Sequence, residues 1–162
     1  PQVVSTIGEM VIMRGAVCVP GNVTPYAEFN FYNDTWAADL ILSSGLSITL
    51  VDLGACRETF IAREEVATLL RGGRSKKLVG RILSNWFLRH PDVENYYLYD
   101  PLAMAVAIDP DIVDTVQCVI RVDTSDSLCR RLCRVQEGGG GVKLAKAVNT
   151  ERFPQPFHGL LG

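Results

Sequence analysis

Two carboxamides and a carboxylate, Asn22, Glu28 and Asn30, lie on the segment Gly21-Asn22-Val23-Thr24-Pro25-Tyr26-Ala27-Glu28-Phe29-Asn30. An amide both gives and accepts hydrogen bonds, and a carboxylate accepts two from neighbouring hydroxyls, so this set suits a polyhydroxylated ligand. The same residues also suit a simpler purpose. Asn favours turns, and Asn and Glu side chains can satisfy the backbone of a loop rich in Gly and Pro. Both readings stay open at this level. A second candidate is Leu98-Tyr99-Asp100-Pro101. Asp before Pro is an ordinary helix cap followed by Pro in the first helical position. A metal-ligand role for Asp100 would need partner oxygens, since calcium takes about six to eight, and no EF-hand-like run stands beside it.

Other patterns carry less. Gly138 to Gly141, followed by Val142-Lys143, lacks the Lys-Ser or Lys-Thr ending of a phosphate loop and reads as a hairpin turn. No Gly-x-Ser-x-Gly run supports a serine hydrolase. Cys129 and Cys133 read as strand or turn thiols, His90 as the end of a helix and His158 as part of a tail. Trp36, Trp86 and Phe87 read as core.

The elements that must position these residues follow from periodicity and punctuation. Residues 9–13 form a short apolar run, a buried strand. Residues 15–34 form a long irregular loop, and long ordered loops are usually functional. Asn33 or Asp34 caps a helix over 35–44, with Trp36, Ala37, Leu40 and Ile41 on its inner face and Gly45 as the stop. Residues 46–53 are a second buried strand. A helix follows over 62–70, broken by Gly72-Gly73. Ser75 caps a helix over 76–89 with Leu78, Ile82, Trp86 and Phe87 inward, and Asp100 caps one through 107. Strands over 115–122, 131–136 and 142–148 and a helix from Thr150 complete the chain. Strands alternating with helices predict an α/β fold with a mostly parallel sheet. The two strands on either side of the glycine run predict a late antiparallel hairpin.

The chain has 162 residues, 48% of them hydrophobic and 21% charged, with a net charge of -2. That balance is globular and offers no basic footprint for nucleic acid. No apolar run approaches the roughly 18 residues of a membrane span. Five cysteines without a Cys-x-x-Cys pair and no signal pattern predict reduced thiols in a cytoplasmic protein. Residues 1–162 read as one domain.

Met13-Arg14-Gly15-Ala16, then Gly21-Asn22-Val23-Thr24-Pro25, Ala27-Glu28-Phe29-Asn30 and Trp36-Ala37-Ala38, resemble the central motif of the inosine-uridine preferring nucleoside hydrolases. Tyr99-Asp100-Pro101-Leu102-Ala103 with Asp109-Pro110 resembles the family's second conserved region. Val148-Asn149-Thr150-Glu151-Arg152-Phe153 resembles its last strand and helix. The resemblance implies a Rossmann-like α/β fold, a tightly held Ca2+ ion, a homo-oligomer and hydrolysis of the N-glycosidic bond of ribonucleosides to ribose and free base. It implies that Asn22, Glu28 and Asn30 bind ribose hydroxyls, that Met13 lies near the ribose, and that Asp100 is a calcium ligand. Tyr99 falls where many members carry a catalytic His. All four polar residues, Asn22, Glu28, Asn30 and Asp100, should converge on one cleft at the strand ends.

Departures from the family pattern accompany the likeness. The aspartate-rich motif that supplies most calcium ligands and the general base is absent, as is the Thr whose carbonyl binds the ion. Arg14 stands where Gly is usual, and an acid sits at Asp52 with Gly54 before Cys56. The chain is therefore expected to be the C-terminal part of a nucleoside hydrolase domain, inactive alone, with an apolar sheet edge or face left uncovered. The alternative is a non-catalytic ribose- or nucleoside-binding protein, or a subunit completed by another chain.

Overall fold

The computed structural model describes residues 4–125 and 133–153. Its centre is a five-stranded mixed sheet. β1 (Met10–Met13), β2 (Ile48–Val51) and β7 (Val142–Val148) are parallel neighbours, and β5 (Val113–Val122) runs antiparallel to β7 and to β6 (Cys133–Glu137). The order is β1-β2-β7-β5-β6. β2, Ile-Thr-Leu-Val, is buried at all four positions, as a strand covered on both faces must be. A core cluster that includes Leu98, Leu102, Val106, Ile112 and Phe87 also takes in Val51 of β2 and Ala145 of β7. A second contains Phe31, Ala38, Leu42, Leu50, Ile120 and Leu144. The architecture is the α/β sheet flanked by helices that the alternation predicts.

β1 stands at the edge of the described sheet, and its four apolar residues are only half-buried. The segment after it differs from the single irregular loop expected, because α1 (Phe29–Asn33) forms within it, capped by Glu28. α2 (Thr35–Leu42) begins where Asp34 accepts from the Ala37 amide at 3.0 Å. Its inner face is corrected. Trp36 and Leu40, read as core, are 71% and 72% exposed, and Thr35, Ala38 and Leu42 are buried instead. Polar contacts set this rotation. The Thr35 hydroxyl donates to the Phe31 carbonyl at 3.0 Å, and Asp39 accepts from the Val122 amide at 3.1 Å.

β2 leads into α3 (Leu53–Cys56), a single turn capped by Asp52. The helix expected over 62–70 divides into β3 (Phe60–Ala62), a 3-10 turn at Arg63–Glu65 and α4 (Val66–Arg71). β3 is held extended by antiparallel pairing with β4 (Asn95–Tyr97), a long-range partner that local periodicity does not show. α5 (Arg74–Arg89) is capped at Gly73, not Ser75. Leu78 and Ile82 are exposed, and Gly80, Leu83 and Phe87 are buried. Gly80 faces Leu70 so closely that an added Cβ would lie 3.1 Å from its backbone N, so helix contact centres on the glycine. Trp86 is half-buried, edge-on to Tyr96 and stacked on His90 at the helix end.

α6 (Tyr99–Ile108) starts two residues earlier than expected. Leu98 is its cap, and Asp100 lies in the first turn, where a carboxylate faces the positive end of the helix dipole. The late hairpin is present, but it pairs β5 with β6. β6 and β7 do not pair with each other; Cys118 of β5 is opposite both Glu137 and Val142. Gly138 and Gly139 have φ of 87° and 72°, and Gly140 passes so close to the Cys118 carbonyl that no Cβ would fit. The glycine run thus carries the chain between two stretches that share one partner strand. Residues 131 and 132 of the expected strand, Cys129, and His158 lie outside the described residues. Residues 150–153 form a turn, and the remainder of the expected terminal helix also lies outside them.

Leu50→Ala or Leu102→Ala should cost about 2–5 kcal/mol through the cavity left behind. Trp36→Ser and Leu40→Ser should stay within about 0.5 kcal/mol in the isolated chain. Urea denaturation of the four variants tests the corrected faces.

Candidate functional site

Asn22, Glu28 and Asn30 lie on the segment that follows β1, and Asp100 lies in the first turn of α6, so the expected single cleft is not what the cavities show. β1 ends at Met13, and Arg14 continues its line, its backbone N–H donating to the Val51 carbonyl at 3.2 Å. Gly15 then turns the chain with φ 87°. Two buried carboxylates bind the loop that follows. Asp52 Oδ2 accepts from the Val17 amide at 2.8 Å while Oδ1 caps α3 through Ala55 at 3.2 Å. Glu28 Oε2 accepts from Gly15 at 2.9 Å and Phe31 at 3.1 Å, and Oε1 from Asn30 at 2.7 Å. Burial raises the Asp52 pKa against the opposing pull of the backbone donors.

Between these anchors residues 21–27 make a tight knot. The amides of Asn22, Val23 and Thr24 all point at the Ala27 carbonyl, and Gly21 has no room for a Cβ against it. Asn22 Oδ1 accepts from the Phe29 amide at 2.9 Å. Asn22 and Glu28 therefore build the loop, as the simpler of the two initial readings has it. A carboxylate has about four acceptor positions, and Glu28 uses three of them on backbone. The Asn30 carboxamide has no partner among the described residues and is half-buried.

Met13, Arg14 and Asp100 line one cavity of about 380 Å³ together with Ala103, Met104 and Ala107. Asn22, Glu28 and Asn30 do not line it. Cys56, in α3, is buried. Burial pushes its thiol up to about 12, and the charges of Asp52, Asp100 and Glu28 add to the effect. Three acids from three elements thus bear on one buried thiol. Cys56 Sγ also contacts the Tyr99 carbonyl at 4.0 Å. The Tyr99 phenol is half-buried, and burial raises its pKa, so it carries its proton at neutral pH.

Asp52, Cys56 and the Arg14 guanidinium had no assigned role in the sequence reading. Asp52 had a legible signal, since an acid after a β-branched run and before Leu-Gly-Ala-Cys is an N-cap pattern. Its tie to Val17 is a long-range contact and had none. Among the described residues no group of three or more His, Cys, Asp or Glu could hold a metal ion, and no helix is long and apolar enough to cross a membrane.

The model of the inosine-uridine preferring nucleoside hydrolases matches residues 1–155. The chain belongs to this family. It is 31% identical over 124 residues to uridine nucleosidase 1 of Arabidopsis thaliana, covering 74% of this chain and 37% of that protein. It is 30% identical over 157 residues to the pyrimidine-specific ribonucleoside hydrolase RihB of Escherichia coli, covering 93% and 48%. The purine-preferring ribonucleoside hydrolase from Gardnerella vaginalis superposes with a TM-score of 0.86 at 26% identity, over 99% of this chain and 54% of the other. The chain thus spans about half the length, or less, of these relatives. The family is generally calcium-dependent.

Glu28→Ala strands three peptide donors in a buried loop and should cost about 3 kcal/mol or more, with Glu28→Gln at roughly half of that; chemical denaturation reads both. Cys56 and Cys133 are each pushed up to about 12 by burial, whereas Cys18 is exposed. An aromatic disulfide at pH 8 should therefore modify Cys18 well before Cys56, Cys118 or Cys133. Peptide mapping decides this, and labelling of Cys56 at the rate of Cys18 would contradict the burial described.

Proposed function

We propose that the complete protein hydrolyses the N-glycosidic bond of a ribonucleoside to ribose and free base, and that this chain forms the sugar-side wall of the site. The observation that supports it most is the match to this family over residues 1–155, in a chain where Met13 and Asp100 line one cavity. Met13 packs against the sugar. The free carboxamide of Asn30, the amide of Asn22 and the last acceptor position of Glu28 take ribose hydroxyls. The transition state is oxocarbenium-like, so acids at this end of the sheet favour its positive charge. Tyr99 holds a proton that a departing base can accept, although a phenol is a weaker acid than an imidazolium.

Calcium takes about six to eight oxygens, and Asp100 supplies at most two. The described residues do not make up a calcium site, and the sugar contacts above do not depend on the ion. On this reading residues 1–162 are the C-terminal part of one domain, inactive alone, from a cytoplasmic homo-oligomer. The exposed Phe29, Trp36 and Leu40 support a buried interface, and the free cysteines support a reducing compartment.

A non-catalytic ribose- or nucleoside-binding subunit is the second reading. The engagement of Glu28 and Asp52 with backbone donors favours it, because those acids then hold the loop and do no chemistry. Assay of the chain with inosine, uridine and a nitrophenyl riboside plus calcium should give no turnover above background. In the full-length enzyme, Asp100→Ala should cut kcat/KM for the preferred nucleoside by about 100-fold or more. Turnover by the chain alone at ordinary enzyme rates would sink the claim of inactivity. Tight ribose binding by the chain without metal, together with an inactive full-length protein, would favour the binder.

A further inference from the structure

The chain carries a net charge of -2, but its cations are unevenly placed. Residues 66–91 hold six of its 16 Lys and Arg and none of its 18 Asp and Glu. Most of this run is α5, whose inner face is buried through Gly80, Leu83 and Phe87. The outer face is not polar throughout. Leu78, Ile82 and Leu88 are 60%, 58% and 78% exposed. By the three- and four-residue spacing that defines one side of a helix, they share that face with Arg74, Lys77 and Arg81. Among the described residues none of these three cations makes an ion pair.

Like charges one helical turn apart repel, and exposed aliphatic side chains gain nothing from water. A partner that relieves both is anionic and has an apolar layer behind its charges. The shape of the face narrows the choice. Its shallow depression is walled by Arg74, Lys77, Leu78 and Arg81 alone. All four belong to α5, so no second element builds a groove for a peptide helix or an anchoring side chain. A fluid layer of headgroups conforms to such a surface. Cations interleaved with aliphatic residues along one helix face suit the boundary between headgroups and acyl chains. Nucleic acid offers the charge but no apolar layer for Leu78 and Ile82.

We propose that the outer face of α5 docks the protein on an anionic lipid surface. Arg74, Lys77 and Arg81 meet the phosphates and carboxylates of the headgroups. Leu78, Ile82 and Leu88 enter the boundary with the acyl chains, and the helix lies parallel to the surface. The contact is reversible, because few cations and three aliphatic side chains make it. It is independent of the reading of the sugar site.

Co-sedimentation of the chain with phosphatidylcholine vesicles and with mixed phosphatidylcholine–phosphatidylserine vesicles tests it. Binding to the mixed vesicles should be about tenfold or more tighter, and should weaken as salt rises. Lys77→Gln and Arg81→Gln should each weaken it about fivefold. Leu78→Ser combined with Ile82→Ser should weaken it by a similar factor or more, with the fold intact by circular dichroism because both side chains are exposed. No preference for the mixed vesicles, or a preference that survives loss of both Lys77 and Arg81, would overturn the proposal. Undiminished binding by the double Ser variant would leave only a diffuse charge attraction and overturn it too. Equal affinity for duplex DNA or polyglutamate would make the face a general polyanion contact, with the same result.

Discussion

A carboxylate enclosed by peptide N–H groups is the constraint on which the site depends. Glu28 draws Gly15, Asn30 and Phe31 to one point, joining the turn after β1 to the start of α1. Taking a charge out of water is expensive unless several donors replace the lost hydration. Once those donors are backbone amides, the loop has few other conformations open to it. Asp52 repeats the arrangement from β2 through Val17 and Ala55. The loop is thus held by hydrogen bonds from its own peptide groups to two buried carboxylates.

That arrangement divides the polar residues into two kinds. Glu28, Asp52 and one oxygen of Asn22 face inward to backbone. Asn30, Asp100, Arg14 and the Tyr99 hydroxyl keep their polar atoms uncommitted among the described residues. Groups with no protein partner are the ones that a ligand can reach without first breaking the fold, and they belong to three segments: the residue after β1, α1 and the first turn of α6.

Much of the fold was legible from local pattern. The β-branched run of β2, the Asp34 cap of α2 and the Gly72-Gly73 break all rest on interactions between residues near in sequence. The errors share a cause in distant contacts. Trp36 and Leu40 match a helical stripe, yet α2 is rotated by Asp39 reaching Val122. Phe60 to Ala62 became a strand because Tyr97 to Asn95 lies beside it. The hairpin partner was misread because Cys118, far from the glycine run, pairs on both sides of it. At the site, the Asn22 to Asn30 segment was legible by composition. Its internal bookkeeping of donors was not, since the same Glu can serve a sugar or a loop and only the position of Gly15 decides.

The sheet also constrains how the chain can be made. Ile48 of β2 takes Val142 of β7 as its parallel neighbour, so the middle of the sheet waits for a strand near the end of the described chain. During synthesis β1 and β2 leave the ribosome long before β7, with β2 open on one flank. Such an unpaired strand edge is prone to wrong pairing. The charged helix α5, with its Arg and Lys residues facing water, emerges in the interval. It gives the nascent chain solubility while the sheet is unfinished.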